Sequence, residues 1–179
     1  MKRVVVTGLG LVTPLGCGVN HSWDNLLSGI SGVKKITKFD PINHKCKVAC
    51  EVPLGSAIDG KFNPEEWIEK KEIKKIDDFI QFSMAASEQA FLDSKIQIST
   101  ELSLRSGAII GSGIGGLPGI ERAALDYYVN KKKISPFFIT GRLINMAAGY
   151  ASLKYNLKGP NYATVSACAS GAHAIGESV

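Results

Sequence analysis

The sequence has no uninterrupted apolar run long enough to cross a membrane. Its longest charge-free stretches, residues 106–120 and 159–176, are crowded with Gly, Ser, Thr and Pro, which argues against a membrane span. Cysteine is scarce, with four residues at irregular spacing and no CxxC pair. A chain of 179 residues can bury a core without covalent staples, so reduced, cytoplasmic thiols are expected rather than a disulfide framework. There are only three histidines, and His44, Cys46 and Cys50, with Cys17 and His21, do not reproduce metal-ligand spacing; no metal or cofactor is expected. Lys2 and Arg3 followed by residues 4–15 and Gly16-Cys17 imitate a secretion signal, but Gly8, Gly10 and Pro14 break its apolar stretch. No repeat, low-complexity segment or linker interrupts the chain, so residues 1–179 are expected to form a single domain.

Hydrophobic residues make up 45% of the sequence and charged residues 21%, a composition that excludes disorder. The net charge of +5 is mild: it suits an acidic partner and does not call for nucleic acid. Residues 70–75 are rich in lysine, but Glu and Asp surround them, which suggests a solvated helix with pairs such as Glu66–Lys70. Neither this stretch nor Lys131-Lys132-Lys133 has the interleaved aromatics of a single-strand nucleic-acid platform.

Residues 2–7 (KRVVVT) read as a buried β-strand, and residues 45–52 (KCKVACEV) alternate as a strand does. Residues 105–111 (RSGAIIG) and 162–166 (YATVS) also read as strands. Helices are expected over 20–27, from Asn63-Pro64 onward, over 76–93, from Pro118 to about Lys131, over 140–154, and from Ala167. Asn63 and Pro64 carry the capping logic, and Ile76, Phe79, Ile80, Met84 and Phe91 keep helical spacing. Strands alternating with helices give an α/β fold, a sheet covered by helices. The chain stops about three turns into the last expected helix, which suggests a piece of a longer protein.

Two glycine-rich stretches imitate dinucleotide fingerprints. After the first strand, Gly8-x-Gly10 meets Thr13 where a third glycine belongs. Gly111-x-Gly113-x-x-Gly116 has the spacing, but no acidic residue ends a following strand. The plainer reading is a tightly packed glycine loop.

Around Cys168, in the run Val165-Ser-Ala-Cys168-Ala-Ser-Gly171-Ala, a strand delivers a thiol onto a tight turn before a helix of small residues. Backbone donors at a helix start favour a thiolate and can hold an oxyanion. This is the logic of a nucleophile elbow, although G-x-S-x-G is absent; the competing reading is a structural buried cysteine. No histidine is an evident activator. His173 lies five residues on, about 140° around a helix, and His21 and His44 have no evident placement.

Residues 2–16 (KRVVVTGLGLVTPLG), 110–117 (IGSGIGGL), 133–138 (KISPFF), 145–149 (NMAAG) and 159–176 (GPNYATVSACASGAHAIG) together resemble the β-ketoacyl-acyl-carrier-protein synthases, most nearly the type II enzymes of bacterial fatty-acid elongation. The resemblance implies a thiolase-like fold of two similar α/β halves, of which this chain would be the N-terminal one. It implies that Cys168 carries the acyl chain as a thioester and that decarboxylation of malonyl-carrier protein supplies the attacking carbanion. It also implies that Ile114 gates the acyl pocket and that Phe138 reaches the partner's pocket in a homodimer built on the strand before Cys168. Lys70 and Lys71, continued by Lys74 and Lys75, would meet the acidic acyl carrier protein. The family's two histidines, its lysine and its second oxyanion donor have no counterparts in this sequence. A half-domain that binds its partners without turnover is therefore a second expectation.

Overall fold

The computed structural model describes residues 3–179. In chain order these form β1 (Val12–Thr13), β2 (Gly16–Cys17), α1 (Val19–Leu27), β3 (Lys34–Lys35), β4 (Val48–Ala49), α2 (Lys70–Ile73), α3 (Asp78–Ser94), α4 (Thr100–Arg105), β5 (Ala108–Ile109), α5 (Leu117–Tyr128), α6 (Met146–Tyr155), β6 (Asn161–Tyr162) and α7 (Ser170–Glu177). β1–β2 and β3–β4 are antiparallel ladders. β5 and β6 are parallel, with Ala108 opposite Asn161 and Ile109 opposite Tyr162.

The helical periodicity of residues 76–93 yields α3, the longest helix among the described residues. Its Ile80 side chain packs with Ile68 and Ile76 in one buried cluster, joined by Trp67, Met84 and Tyr150. On α6, Ala147, Ala148 and Ala151 are buried. Side chains this small let α6 settle closely against α3 and the β5–β6 pair. Asn161 secures that contact by donating from Nδ2 to the Ala148 carbonyl at 3.0 Å. Ala108, Ala148, Ala151 and Leu157 form the second cluster, with Phe91 and Tyr155 against it. The Phe91 and Tyr155 rings stack with centroids 3.7 Å apart.

One charged group ties α3 to α6. Glu88 receives hydrogen bonds from the Lys154 ammonium at 2.6 Å and from the Tyr155 hydroxyl. Partial burial raises its carboxyl, but the Lys154 and Tyr155 hydrogen bonds outweigh burial and leave it below the ordinary glutamate value. A depressed carboxylate contributes stability above its unfolded pKa and loses it as pH falls through the folded value. Glu88→Gln is therefore expected to lower stability at pH 7 by about 1–2 kcal/mol and to flatten the acid limb of the stability curve. Urea unfolding at pH 7 and pH 3 checks both; equal losses at the two pH values would remove the charge from the explanation.

Several sequence expectations are corrected. The N-terminal buried strand is absent: residues 3–7 form no ladder and Val4, Val5 and Val6 are exposed, while Lys2 lies outside the described residues. Just beyond them, the backbone finds side-chain partners on α3. Leu9 N–H donates to Asp93 and Leu11 N–H to Gln89. Gly8 and Gly10 press onto the same helix, where a Cβ would fall 2.1 Å from the Ala90 carbonyl oxygen and 1.9 Å from that of Ala86. These glycines are needed for backbone contact, which accounts for the Gly-x-Gly without a phosphate.

Asn63 does cap, accepting from Glu65 N–H, but only a single 3-10 turn follows, Pro64–Glu66. The helix then restarts as α2, so Lys70 pairs with Glu65 at 3.0 Å rather than with Glu66. The helix expected over 140–154 begins only at Met146, and the strands expected over 45–52 and 162–166 reduce to β4 and β6. α4, capped by the Ser99 hydroxyl accepting from Leu102 N–H, was not expected.

Candidate active site

The chain stays alongside the β5 segment past the end of β6. Ser112 N–H donates to the Thr164 carbonyl at 3.3 Å, which holds the chain beside the glycine loop until it reverses. Ala167 then adopts φ 50°, a left-handed conformation that costs a residue with a Cβ about 1–2 kcal/mol. Cys168 is the middle residue of the 3-10 turn Ala167–Ala169, and α7 begins at Ser170. The thiol-bearing residue is exposed, so the reading of Cys168 as a buried structural cysteine does not hold.

Four side-chain hydrogen bonds brace this reversal. Thr164 Oγ1 donates to the Ser170 carbonyl at 2.8 Å. Ser170 Oγ donates to the Ala167 carbonyl at 2.7 Å and accepts from Ser166 N–H at 2.9 Å. Ser166 Oγ and His173 Nδ1 lie 2.6 Å apart. Strain of this kind persists only where its surroundings fix it.

Gly111 and Gly113 pack against the same turn. A Cβ on Gly111 would stand 2.2 Å from the Ser170 carbonyl oxygen, and one on Gly113 would stand 3.0 Å from that of Ala167. Two of the fingerprint-like glycines are thus covered by the Cys168 turn and the third, Gly116, by Arg142 and Asp77, so their space is taken by the chain itself rather than left for a pyrophosphate. Ile114 follows at the exposed tip of this loop. Gly116 N–H donates to the Arg142 carbonyl at 3.1 Å, which links the loop to the segment bearing Phe138. That segment is anchored by Arg142, whose Nη1 donates to the carbonyls of Lys75 and Phe137. The half-buried Phe138 ring lies 5.9 Å from the same guanidinium.

The four lysines divide. Lys70 and Lys71 are exposed and paired with Glu65 and Glu69; such pairs contribute little. Lys74 is exposed. Lys75 is half-buried, paired with Glu72 at 2.6 Å, and its ammonium lies 4.6 Å over the Phe137 ring. Beside it, Asp77 accepts from Gly119 N–H at 3.0 Å. Burial pushes its carboxyl up, against the lowering effects of that hydrogen bond and of Arg142.

The histidines are engaged elsewhere. His21 Nε2 is 3.0 Å from Asn25 Nδ2, His44 packs edge-on against Phe39, and His173 reaches back to Ser166. Cys17 is half-buried; burial pushes its thiol up, partly offset by the hydrogen bond from Gln89. Sequence reasoning did not single out Ser170, Asp77 or Arg142. For Ser170 the available signal was its place two residues after the cysteine, in a run otherwise free of hydroxyls except Ser166.

The profile of the β-ketoacyl synthase N-terminal domain matches residues 1–179. A 3-oxoacyl-[acyl-carrier-protein] synthase 2 of Rhizobium meliloti (strain 1021) is 48% identical over 181 residues, covering 99% of this chain and 42% of the relative. The protein of the same name from Coxiella burnetii (strain RSA 493 / Nine Mile phase I) is 47% identical, over 98% of this chain and 41% of that one. A solved β-ketoacyl synthase from Burkholderia phymatum STM815 superposes with a TM-score of 0.73 at 26% identity, over 99% of this chain and 42% of that one. The chain spans about two fifths of the length of these curated relatives. Its parallel β5–β6 pair, covering helices and cysteine turn belong to the α/β, thiolase-like fold of the ketosynthases, and the chain belongs to the β-ketoacyl synthase family through its N-terminal domain.

Proposed function

We propose that this chain supplies the acyl-carrying half of a condensing enzyme of fatty-acid elongation. The observation that carries the reading is the exposed Cys168 on a left-handed turn between the β5–β6 ladder and the start of α7. Cys168 Sγ, as thiolate, attacks the carbonyl carbon of an acyl thioester. The C–S bond to the donor then breaks, and the donor leaves as its own thiolate. Malonyl thioester next loses CO₂; the electron pair of the broken C–C bond becomes an enolate carbon that attacks the Cys168 thioester. Sγ departs as thiolate, and the product is a 3-oxoacyl thioester two carbons longer. Splitting the reaction this way replaces one hard step by two easier ones.

The names of the relatives specify acyl carrier protein, and we take it as the donor and acceptor. Lys70, Lys71 and Lys74 give it an exposed basic surface, with Lys75 holding that surface to the Phe137 loop. Ile114, at the tip of the loop that packs on the Cys168 turn, is the acyl gate of this reading. Phe138 is its cross-subunit contact. Among the described residues β6 is bonded to β5 on one side only, an edge suited to pairing with a second copy of the chain. Val4, Val5, Val6, Ile109 and Ile175 line an open apolar trough, which we assign to contact with the family's second half.

The test is mass-mapped modification of the purified chain. Acyl-carrier protein should leave its acyl group on Cys168, and Cys168→Ala should abolish the adduct. Iodoacetamide should label Cys168 well before Cys17, whose thiol is pushed up by burial. An acyl adduct on Cys46 or Cys50 that survives in Cys168→Ala would overturn the assignment.

A further inference from the structure

Ala167 is held in a conformation that disfavours it, and the groups that hold it are side chains of α7, the helix that follows the thiol. Ser170 is 2% exposed, and its hydroxyl is used twice: its proton goes to the Ala167 carbonyl and its lone pair takes the Ser166 N–H. Those two groups flank the peptide bond between Ser166 and Ala167, immediately ahead of Cys168. His173, one turn further along α7, reaches over the same segment and bonds the Ser166 hydroxyl through Nδ1. His173, five residues after the cysteine, is thereby connected to it through the backbone.

We propose that Ser170 and His173 are positioning residues: hydrogen bonds from their side chains to Ser166 and Ala167 lock the turn that aims Cys168 Sγ. This inference rests on the reading of Cys168 as the acyl-accepting thiol. Neither side chain touches the reacting atoms. Without Ser170 Oγ, the Ser166 N–H and the Ala167 carbonyl lose these partners and Ala167 has less to keep it left-handed. The turn would relax and Sγ would shift with it. Displacements of about 1 Å can cost about 100-fold in rate.

Acylation of Cys168 by acyl-carrier protein, alkylation of the same thiol by iodoacetamide, and the thermal midpoint are measured for each variant. Alkylation asks only for an accessible thiolate, whereas acylation asks for an aimed one. Ser170→Ala is expected to slow acylation about 10–100-fold and to leave alkylation within about threefold. His173→Ala should slow acylation by about tenfold. His173→Asn, whose amide stands where Nδ1 stood, should restore most of it, while His173→Gln, with its amide one bond further out, should not. A role in stability alone would move the thermal midpoint without this Asn-over-Gln rescue. Should Ser170→Ala fail to fold, the exposed His173 series decides. Acylation within twofold of the parent in His173→Ala, or equal losses in the Asn and Ala variants, overturns the clasp. No acyl adduct on Cys168 in the unsubstituted protein overturns the underlying functional reading instead.

Discussion

A polypeptide of residues 1–179 is expected to take an acyl group on Cys168 and to make no 3-oxoacyl product from it. The two half-reactions ask for different things. Transfer to the thiol needs an accessible nucleophile and donors for a transient oxyanion, and the 3-10 turn before α7 presents Cys168 as an exposed residue at the start of a helix. Decarboxylation builds an enolate next to a neutral thioester, and that charge needs positioned donors of its own. Each such donor is typically worth about 100–1,000-fold in rate, and losses within one site are not additive. The chain's three histidines are not free for this task. His21 sits against Asn25 on α1, His44 against Phe39, and His173 against Ser166. Malonyl-carrier protein with an acyl donor, read for CO₂ release and two-carbon extension beside Cys168→Ala, is the assay. Expected are stoichiometric acylation and extension at the background of the alanine variant. Extension that depends on Cys168 in this polypeptide alone would mean that one of these histidines, or a second copy of the chain, completes the site.

What the sequence made legible follows from what is local. α3 was readable because Ile76, Phe79, Ile80, Met84 and Phe91 repeat at helical spacing and nothing breaks the run until Lys95, which takes φ 55°. The cysteine turn was readable because a β-prone run, a thiol and a stretch of Ala, Ser and Gly follow one another directly. Residues 3–7 misled because β-branched composition reports suitability for a pleated surface, not the presence of a partner. The neighbouring backbone bonds to Gln89 and Asp93, more than seventy residues away in sequence. The same non-locality hid Arg142, whose Nη1 donates to the Lys75 carbonyl far back in the chain; Ser170 acts on its neighbours Ser166 and Ala167, and the left-handed turn at Ala167 is what gives those bonds their role. Charge pattern alone could not separate Lys75 from Lys74. The Glu72 carboxylate and the Phe137 ring together hold Lys75 inward, while Lys74 stays exposed.

Gly111→Ala is expected to disable the site more severely than any substitution short of replacing Cys168 itself. Gly111 lies where the β5 segment passes beneath the first residue of α7. An added Cβ would meet the Ser170 carbonyl oxygen at 2.2 Å, its carbon at 2.5 Å and Thr164 Oγ1 at 2.8 Å. Two of these atoms are backbone and the third is the hydroxyl that donates to that same carbonyl, so no flexible side-chain end can yield. Relief requires α7 to lift from β5, and that movement strains the Ser170 bonds to Ser166 and Ala167 together with the buried Ala174 contact. Overpacking of this kind typically costs about 1–3 kcal/mol, and here the displaced element carries Cys168 at its head. Acylation should therefore fall by about 100-fold or more, with the thermal midpoint lowered in parallel. Gly176→Ala is the matched control: it lies in α7 with nothing within 4 Å of the added carbon, and alanine is the better helix former by about 1 kcal/mol. That variant should keep full acylation and equal or greater stability. A Gly111→Ala protein that acylates Cys168 at the parent rate would show that α7 can move without disturbing the thiol, and the packing of the glycine loop would then be separate from the chemistry.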